Sequence, residues 1–153
     1  MNTKEVMADF QFLGNRVSKL VIETKQLEEK GRAELSYDFD YKVTHISEMD
    51  NNILGILQFL VQTKAKIKKK ILFKIDLTME GAFAGNLEKI PKEKFAEMLE
   101  MNGLANLMNI SRAYLVSMSA QSGINPPVRL PMINLIKLKE KKQKSEVKPK
   151  TEE

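Results

Sequence analysis

The sequence predicts an α+β protein: a four-stranded antiparallel sheet, followed by a long helix, a proline-bearing crossover loop and a short C-terminal helix. Three observations predict this order. Apolar and polar residues alternate through the first half of the chain, as in half-buried strands, and from residue 91 onward apolar residues recur at helical spacing. Prolines then cluster within residues 126–131, where a regular helix could not continue.

Four stretches predict the strands. LSYDFDYKV (35–43) and ILFKIDLTMEGAF (71–83) each place apolar residues on one face and polar residues on the other. Between them, residues 52–65 are apolar on both sides at their centre, which predicts a strand that is covered on each face or lies at a subunit boundary. The first strand, within residues 10–23, is interrupted at Gly14, which predicts a bulge.

The second half of the chain predicts three helices. A short helix in 91–103 has a proline in its first turn and an Asn-Gly stop, and a longer helix at about 104–122 ends at Gly123. Asn134 is suited to cap a final short helix, LIKLKEKK.

The long helix is apolar around much of its circumference, and Tyr114 and Met118 contribute to this breadth. A single small sheet cannot cover two faces of one helix. The pattern therefore indicates an oligomer in which these residues contact another subunit.

Length and composition indicate one soluble domain, residues 1–138, followed by a basic tail, residues 139–153, that is expected to be disordered. No apolar run approaches the roughly 18 residues of a membrane span, and the N-terminus lacks the features of a secretory signal. Because the chain has no cysteine, a reducing cytoplasmic location is expected.

The formal net charge is +5, and five lysines fall within KAKIKKK (64–70). This cluster is typical of a solvated hairpin tip that discourages strand-to-strand aggregation. The alternative is a nucleic-acid-binding site that combines the cluster with the basic tail. Such a site would make phosphate contacts without specific base recognition.

No catalytic constellation can be assembled from the sequence. His45 is the single histidine and has no cysteine to join it in a metal site, so no metal and no cofactor are expected. The acids of the strands, such as Asp38 and Glu80, fall on predicted solvated faces. Gly81 and Gly85 lie in or just after a strand, where they predict a bend, and no phosphate-binding glycine motif is present. We therefore expect a protein without enzymatic activity.

Three stretches resemble the SecB family of protein-export chaperones. NLMNISRAYLVSMSAQSGINPPVRLPMIN (106–134) is similar in its Asn-Leu step, mid-helix arginine, glycine stop, prolines and helix-opening asparagine. FQFLGNRVSKLVIE resembles the family's first strand, and MEGAF (79–83) resembles the end of its fourth strand. The similarity covers about residues 9–138.

The resemblance implies an ATP-independent holdase in the cytoplasm, a homotetramer built as a dimer of dimers. It would keep unfolded polypeptide clients extended until they reach the SecA translocase motor, without inserting into the membrane. The implied client groove comprises Phe73, Phe83, Ile110, Val128, Leu130, Ile133 and Leu135. The implied positions for subunit assembly are Ile75 and Leu77, and those for SecA docking are Glu23, Lys74 and Asp76.

The sequence departs from the export chaperones in charge. Lys19 stands where they place an acid, the 24–33 loop is shorter and lacks their tryptophan, and the tail is basic. SecA docking depends on charge complementarity, so these differences weaken the implication that SecA is the partner. The alternative is service as a SecB-like chaperone of an antitoxin in a toxin-antitoxin module.

Overall fold

The structure is a computed structural model that describes residues 8–26 and 31–147. Its elements, in chain order, are β1 (Phe10–Thr24), β2 (Glu34–Met49), β3 (Asn52–Ile67), β4 (Lys70–Asn86), α1 (Lys92–Met98), a π-helical turn (Leu99–Gly103), α2 (Leu104–Gln121) and α3 (Leu135–Val147). This order confirms the predicted α+β architecture. No helix in the described ranges is long and apolar enough to cross a membrane.

All four strands form one antiparallel sheet in the order β1-β4-β3-β2, so β1 and β2 are its edges. The pairing of β1 with β4 shifts between Phe12 and Gly14, which confirms the predicted bulge. Gly81 and Gly85 lie within β4 and no register shift occurs at either, while the bend expected there stays a prediction.

The core lies on one face of the sheet, here called the inner face. Alternate residues of β3 and β4, such as Leu57, Phe59 and Leu77, are buried on this face beneath the helices. The opposite, outer face carries the polar members of the alternation. On β3 it also carries Leu54 and Ile56, which are only half-buried, so the apolar centre predicted for β3 places residues on both faces.

The first two helices form a continuous helical segment, because the chain passes from α1 through the π-helical turn directly into α2. The stop predicted at Asn102-Gly103 is therefore wrong. Gly103 has helical dihedral angles (φ −61°, ψ −46°). A Cβ atom there would lie 3.3 Å from Leu57 and from Phe83. The glycine thus lets the helical segment approach the sheet closely, and it does not end the helix.

The final helix is longer than predicted. α3 continues to Val147, so the disordered tail expected from residue 139 is wrong for residues 139–147; residues 148–153 lie outside the described ranges, as do residues 27–30 of the 24–33 loop. Two ion pairs hold α3 to the rest of the chain, Lys139 with Glu100 at 3.7 Å and Lys142 with Asp40 at 2.8 Å. Asn134 caps the helix as predicted, since its Oδ1 accepts a hydrogen bond from the Lys137 N–H at 3.1 Å.

Candidate binding groove

The connection between α2 and α3, residues 122–134, crosses one end of the inner face and is here called the crossing. α2 ends at Gln121, and Gly123 follows it with a φ of +81°, in the left-handed region that glycine adopts at low cost. The Ile124 N–H then donates to the Ser119 carbonyl at 3.0 Å. The peptide bond between Asn125 and Pro126 is cis.

Polar side chains fix the middle of the crossing to α2 and to the sheet. Ser119 is fully buried, and its Oγ accepts a hydrogen bond from the Val128 N–H at 2.8 Å. The Tyr37 hydroxyl of β2 donates to the Arg129 carbonyl at 3.2 Å. These bonds satisfy backbone groups of a segment that has no regular secondary structure.

Arg112 holds the next part of the crossing. Its Nε donates to the Leu130 carbonyl and its Nη2 to the Pro131 carbonyl, each at 3.2 Å. Its Nη1 also donates to Asn109 Oδ1 at 3.3 Å. The crossing is therefore fixed at three consecutive carbonyls and one N–H, and it forms a stiff wall.

Between this wall and the end of the sheet lies an open groove of about 380 Å³, a size typical of ligand sites. Its floor is mainly apolar and includes Leu35, Ala65 and Phe73, and its wall includes Val128. The full lining is Thr24, Lys25, Ala33, Leu35, Ala65, Leu72, Phe73 and residues 123–128. β2, an edge strand with unpaired backbone groups along one side, contributes to the same site.

The structure separates the residues that the SecB resemblance implies for a client groove. Phe73 and Val128 line the groove. Phe83 lies at the other end of β4, fully buried against Phe10 and Phe12 with ring centroids 5.5 and 5.3 Å away. The remaining four pack against the core as buried or half-buried side chains: Ile110, Leu130, Ile133 and Leu135. The role of all seven residues in client binding, Phe83 included, stays a prediction.

Replacing Ser119 with alanine is expected to loosen the crossing. The buried Val128 N–H would lose its acceptor, an unsatisfied group that costs about 1–3 kcal/mol. Hydrogen exchange should therefore be faster at Val128, and the urea midpoint should fall. Ser117→Ala is the matched control, because Ser117 is exposed on the same helix. Equal exchange rates at Val128 in both variants would contradict the role assigned to Ser119.

The residues implied for SecA docking do lie together on the outer face. Glu23 stands opposite Lys74 in the β1–β4 pairing, and Asp76 is two residues further along β4. Asp76, however, forms an ion pair with Lys19 at 3.0 Å. Lys19, which stands where the resemblance implies an acid, thus pairs with one of the three implied docking positions.

A second outer-face acid is also engaged within the chain. Glu80 accepts from Gln58 Nε2 at 2.9 Å and from Arg16 Nε at 2.8 Å. These bonds, with Gln58 contributing most, hold the pKa of Glu80 below its usual range. Its carboxylate is therefore ionised and already paired.

α3 covers the β2 side of the inner face through Tyr41. The Lys142 ammonium lies 4.8 Å from the centre of the Tyr41 ring and donates to the carbonyl of the same residue. It also donates to Asp40, and although burial opposes ionisation there, these contacts hold the pKa of Asp40 below its usual value. Burial, together with the nearby Glu100 carboxylate, raises the pKa of Tyr41 to about 12.

The shifted pKa of Tyr41 predicts a loss of stability at alkaline pH. Because Tyr41 ionises less readily in the folded than in the unfolded chain, its raised pKa stabilises the folded state. This stabilisation is complete below the unfolded pKa of 10.0 and disappears as the pH rises toward about 12. Urea unfolding measured across this window should show the decline, and Tyr41→Phe should reduce it. An absorbance titration should show a tyrosine that ionises at about pH 12 and that is missing in Tyr41→Phe. Ionisation of all three tyrosines near pH 10 would contradict the prediction.

The residues predicted for subunit assembly fall into two groups. Ile75 and Leu77 are fully buried within one chain, so any effect on assembly would act through the core that supports the sheet. Tyr114 and Met118 are half-buried on α2 and retain surface for a partner. Assembly through these residues stays a prediction.

No group of three or more metal-ligating side chains is present among the described residues. His45 lies exposed on β2 at the β2–β3 bulge. These observations identify no centre for metal chemistry in the described part of the chain.

The fold is SecB-like. The chain aligns with the solved structure of a SecB-like chaperone from Mycobacterium tuberculosis in complex with a ChAD peptide of an antitoxin. The TM-score is 0.60 and the sequence identity 14%. The match covers 82% of this chain and 91% of that one. A protein of unknown function from Streptococcus agalactiae aligns at a TM-score of 0.43 and 13% identity, over 80% of this chain and 97% of that one.

At the sequence level, no protein-family model matches the chain, and no curated protein matches it. The likeness therefore rests on the three-dimensional arrangement of the sheet, α2, the crossing and α3.

The sequence reasoning missed the side chains that fix the crossing. Tyr37 was assigned only to the apolar face of its strand, Arg112 only to the family resemblance, and Ser119 received no role. A signal was available for Ser119: a serine on the buried side of an apolar helix needs a partner, and a nearby irregular segment offers backbone groups.

Proposed function

We propose that this protein is an ATP-independent holdase that binds apolar segments of non-native polypeptides in the groove beneath the crossing. The observation that carries the proposal is the stiff crossing itself, whose backbone is bonded to Ser119, Arg112 and Tyr37 while it walls an apolar groove. A preformed wall reduces the ordering that binding requires.

The edge strand β2 supports the same proposal. Because an extended chain can pair with an exposed sheet edge, main-chain hydrogen bonds could supply affinity that does not depend on client sequence. Apolar contacts in the groove would then select segments that are buried in folded proteins. Both features favour non-native chains over native ones.

The test is suppression of aggregation of an unfolded model protein. We expect the protein to keep the client in solution without ATP and to bind the unfolded but not the folded client. Ala33→Trp, which places a large side chain in the groove lining, should weaken suppression. Gln143→Trp on the exposed side of α3 is the matched control. Equal suppression by all three proteins would show that clients do not bind in the groove.

We further propose that the protein acts in the cytoplasm as a homotetramer, a dimer of dimers, in which the half-buried Tyr114 and Met118 meet another subunit. The absence of enzymatic activity belongs to the same proposal. Light scattering after size exclusion should give a mass near four times 17.5 kDa. A monomer that still suppresses aggregation would show that client binding in the groove does not require the tetramer.

Two client systems fit this holdase, preproteins delivered to SecA and an antitoxin. The ion pairs of Asp76 with Lys19 and of Glu80 with Arg16 favour the antitoxin alternative, because they occupy acids on the face implied for SecA docking. The Mycobacterium tuberculosis SecB-like chaperone holds an antitoxin peptide. Titration with a SecA tail peptide distinguishes the two, since binding at the outer face would support export service.

A further inference from the structure

Four exposed cations lie in the segments beside the groove and in the neighbouring β3–β4 turn, and are here called the basic rim: Lys25, Arg32, Lys68 and Lys69. Lys25 itself lines the groove, and Arg32 directly precedes Ala33, another lining residue. Lys68 lies beside the start of β2, since its Cε would be 3.9 Å from a Cβ atom at Gly31.

Within the described residues, five cations outside the basic rim form ion pairs with carboxylates, whereas no member of the basic rim does. Arg16, Lys19, Lys92, Lys139 and Lys142 each form an ion pair. Among the described residues, no carboxylate forms an ion pair with a member of the basic rim, and all four side chains are exposed.

The two segments that hold the basic rim also account for the charge of the chain. Residues 23–34 and 64–74 together contain nine lysines and arginines against four glutamates, a surplus of five that equals the formal net charge of +5. Along the sequence, positive charge is therefore concentrated in the two segments that hold the basic rim, where it can attract an acidic partner.

The conformation of the β3–β4 turn gives an independent reason to connect these lysines with binding. Lys68 and Lys69 both have positive φ, 47° and 72°. Such a two-residue turn favours Asn-Gly, and the β2–β3 turn places Asp50 at its own positive φ of 54°. Two consecutive lysines in the left-handed region are unfavourable for folding, and residues kept in such conformations often serve a function.

We propose that the preferred clients are apolar segments flanked by acidic residues, with the apolar part in the groove and the acids on the basic rim. This inference rests on the proposed function and adds the class of client that the groove selects. The rim charges would hasten encounter and set the position of the client along the groove.

The test uses three fluorescent peptides that share one apolar core and carry flanking residues of Glu, Gln or Lys. Anisotropy titrations of the full chain are expected to show the Glu-flanked peptide binding about five- to tenfold more tightly than the Lys-flanked one in low salt. Because the rim is exposed, the preference should shrink at about 0.5 M salt, while binding of the Gln-flanked peptide should remain.

A double variant, Lys68→Asn with Lys69→Gly, separates charge from folding. It introduces residues that suit the turn, so the melting temperature should stay the same or rise while the preference for Glu flanks falls. Lys141→Asn with Lys144→Gly, on exposed positions of α3, removes the same number of charges away from the groove. This control should keep the preference, although its helix will lose some stability. A second pair, Lys68→Gln with Lys69→Gln, removes the same two charges without introducing a glycine into the turn.

The outcomes distinguish the inference from the proposed function. Equal affinity for all three peptides, or a preference for Lys flanks, would overturn the inference and leave the apolar groove in place. Failure of every peptide to bind would overturn both. Tighter binding of single-stranded oligothymidine than of the Glu-flanked peptide, lost in the Lys68 and Lys69 variants, would assign the rim to nucleic acid.

Discussion

Phe83→Ala is expected to lower the free energy of unfolding by about 3–5 kcal/mol. The Phe83 ring is fully buried, packs against Phe10 and Phe12, and supports the close approach of Gly103 in the helical layer. Its removal would leave a cavity that these neighbours cannot fill by small movements. The loss is a large part of the roughly 5–15 kcal/mol that stabilises a typical domain.

The measurement is urea unfolding followed by circular dichroism, with Phe12→Ala as the matched control. Phe12 packs against the same ring at a tilt but is 40% exposed, so its truncation should cost clearly less. Client affinity of the folded Phe83→Ala protein should match that of the parent. Phe83 is ten residues from Phe73 along β4, a separation of about 33 Å at the usual rise of a strand. Weaker client binding at unchanged stability would place Phe83 in the site after all.

The different positions of Phe73 and Phe83 show where sequence reasoning reaches its limit. Alternation assigns both residues correctly to the inner face of β4, because side-chain direction has a period of two along a strand. It carries no information about which end of that face the crossing covers. That end is determined by hydrogen bonds that Ser119 accepts and Arg112 donates. These bonds join residues nine to nineteen positions apart.

The length of α3 illustrates the same limit. After Leu138 the sequence lacks apolar spacing, so local pattern predicted a frayed end and a disordered tail. In the structure Lys142 reaches Asp40, 102 positions earlier in the chain, and its ammonium also packs over Tyr41. Contacts of this range depend on the finished fold, whereas strands, bulge and helix caps follow from neighbouring residues.

Gly81→Val is the second substitution for which we expect a large effect. A Cβ atom at Gly81 would lie 2.7 Å from Leu107 Cδ2 and 3.0 Å from Phe83 Cε2, and both of those side chains are fully buried. Valine would therefore force α2 away from the sheet or push Leu107 out of its rotamer. Overpacking of this kind typically costs about 1–3 kcal/mol, and occasionally more.

Gly81 is not alone in this role, because Gly55 and Gly85 each place a virtual Cβ 2.7 Å from a helical side chain, Leu99 and Phe95 respectively. The glycines thus create space for the helical layer. Ala82→Val is the control for Gly81→Val, since residue 82 is next in the strand but points to the outer face. Both variants gain strand propensity, so the contacts with Leu107 and Phe83 separate them.

A double-mutant cycle tests that contact directly. Leu107→Ala alone should cost about 2–5 kcal/mol, but in its background Gly81→Val should cost little, because the valine enters the space that the leucine vacates. Urea unfolding of the four proteins gives the coupling energy. Independent, additive effects of the two substitutions would mean that Gly81 does not set the distance between α2 and the sheet.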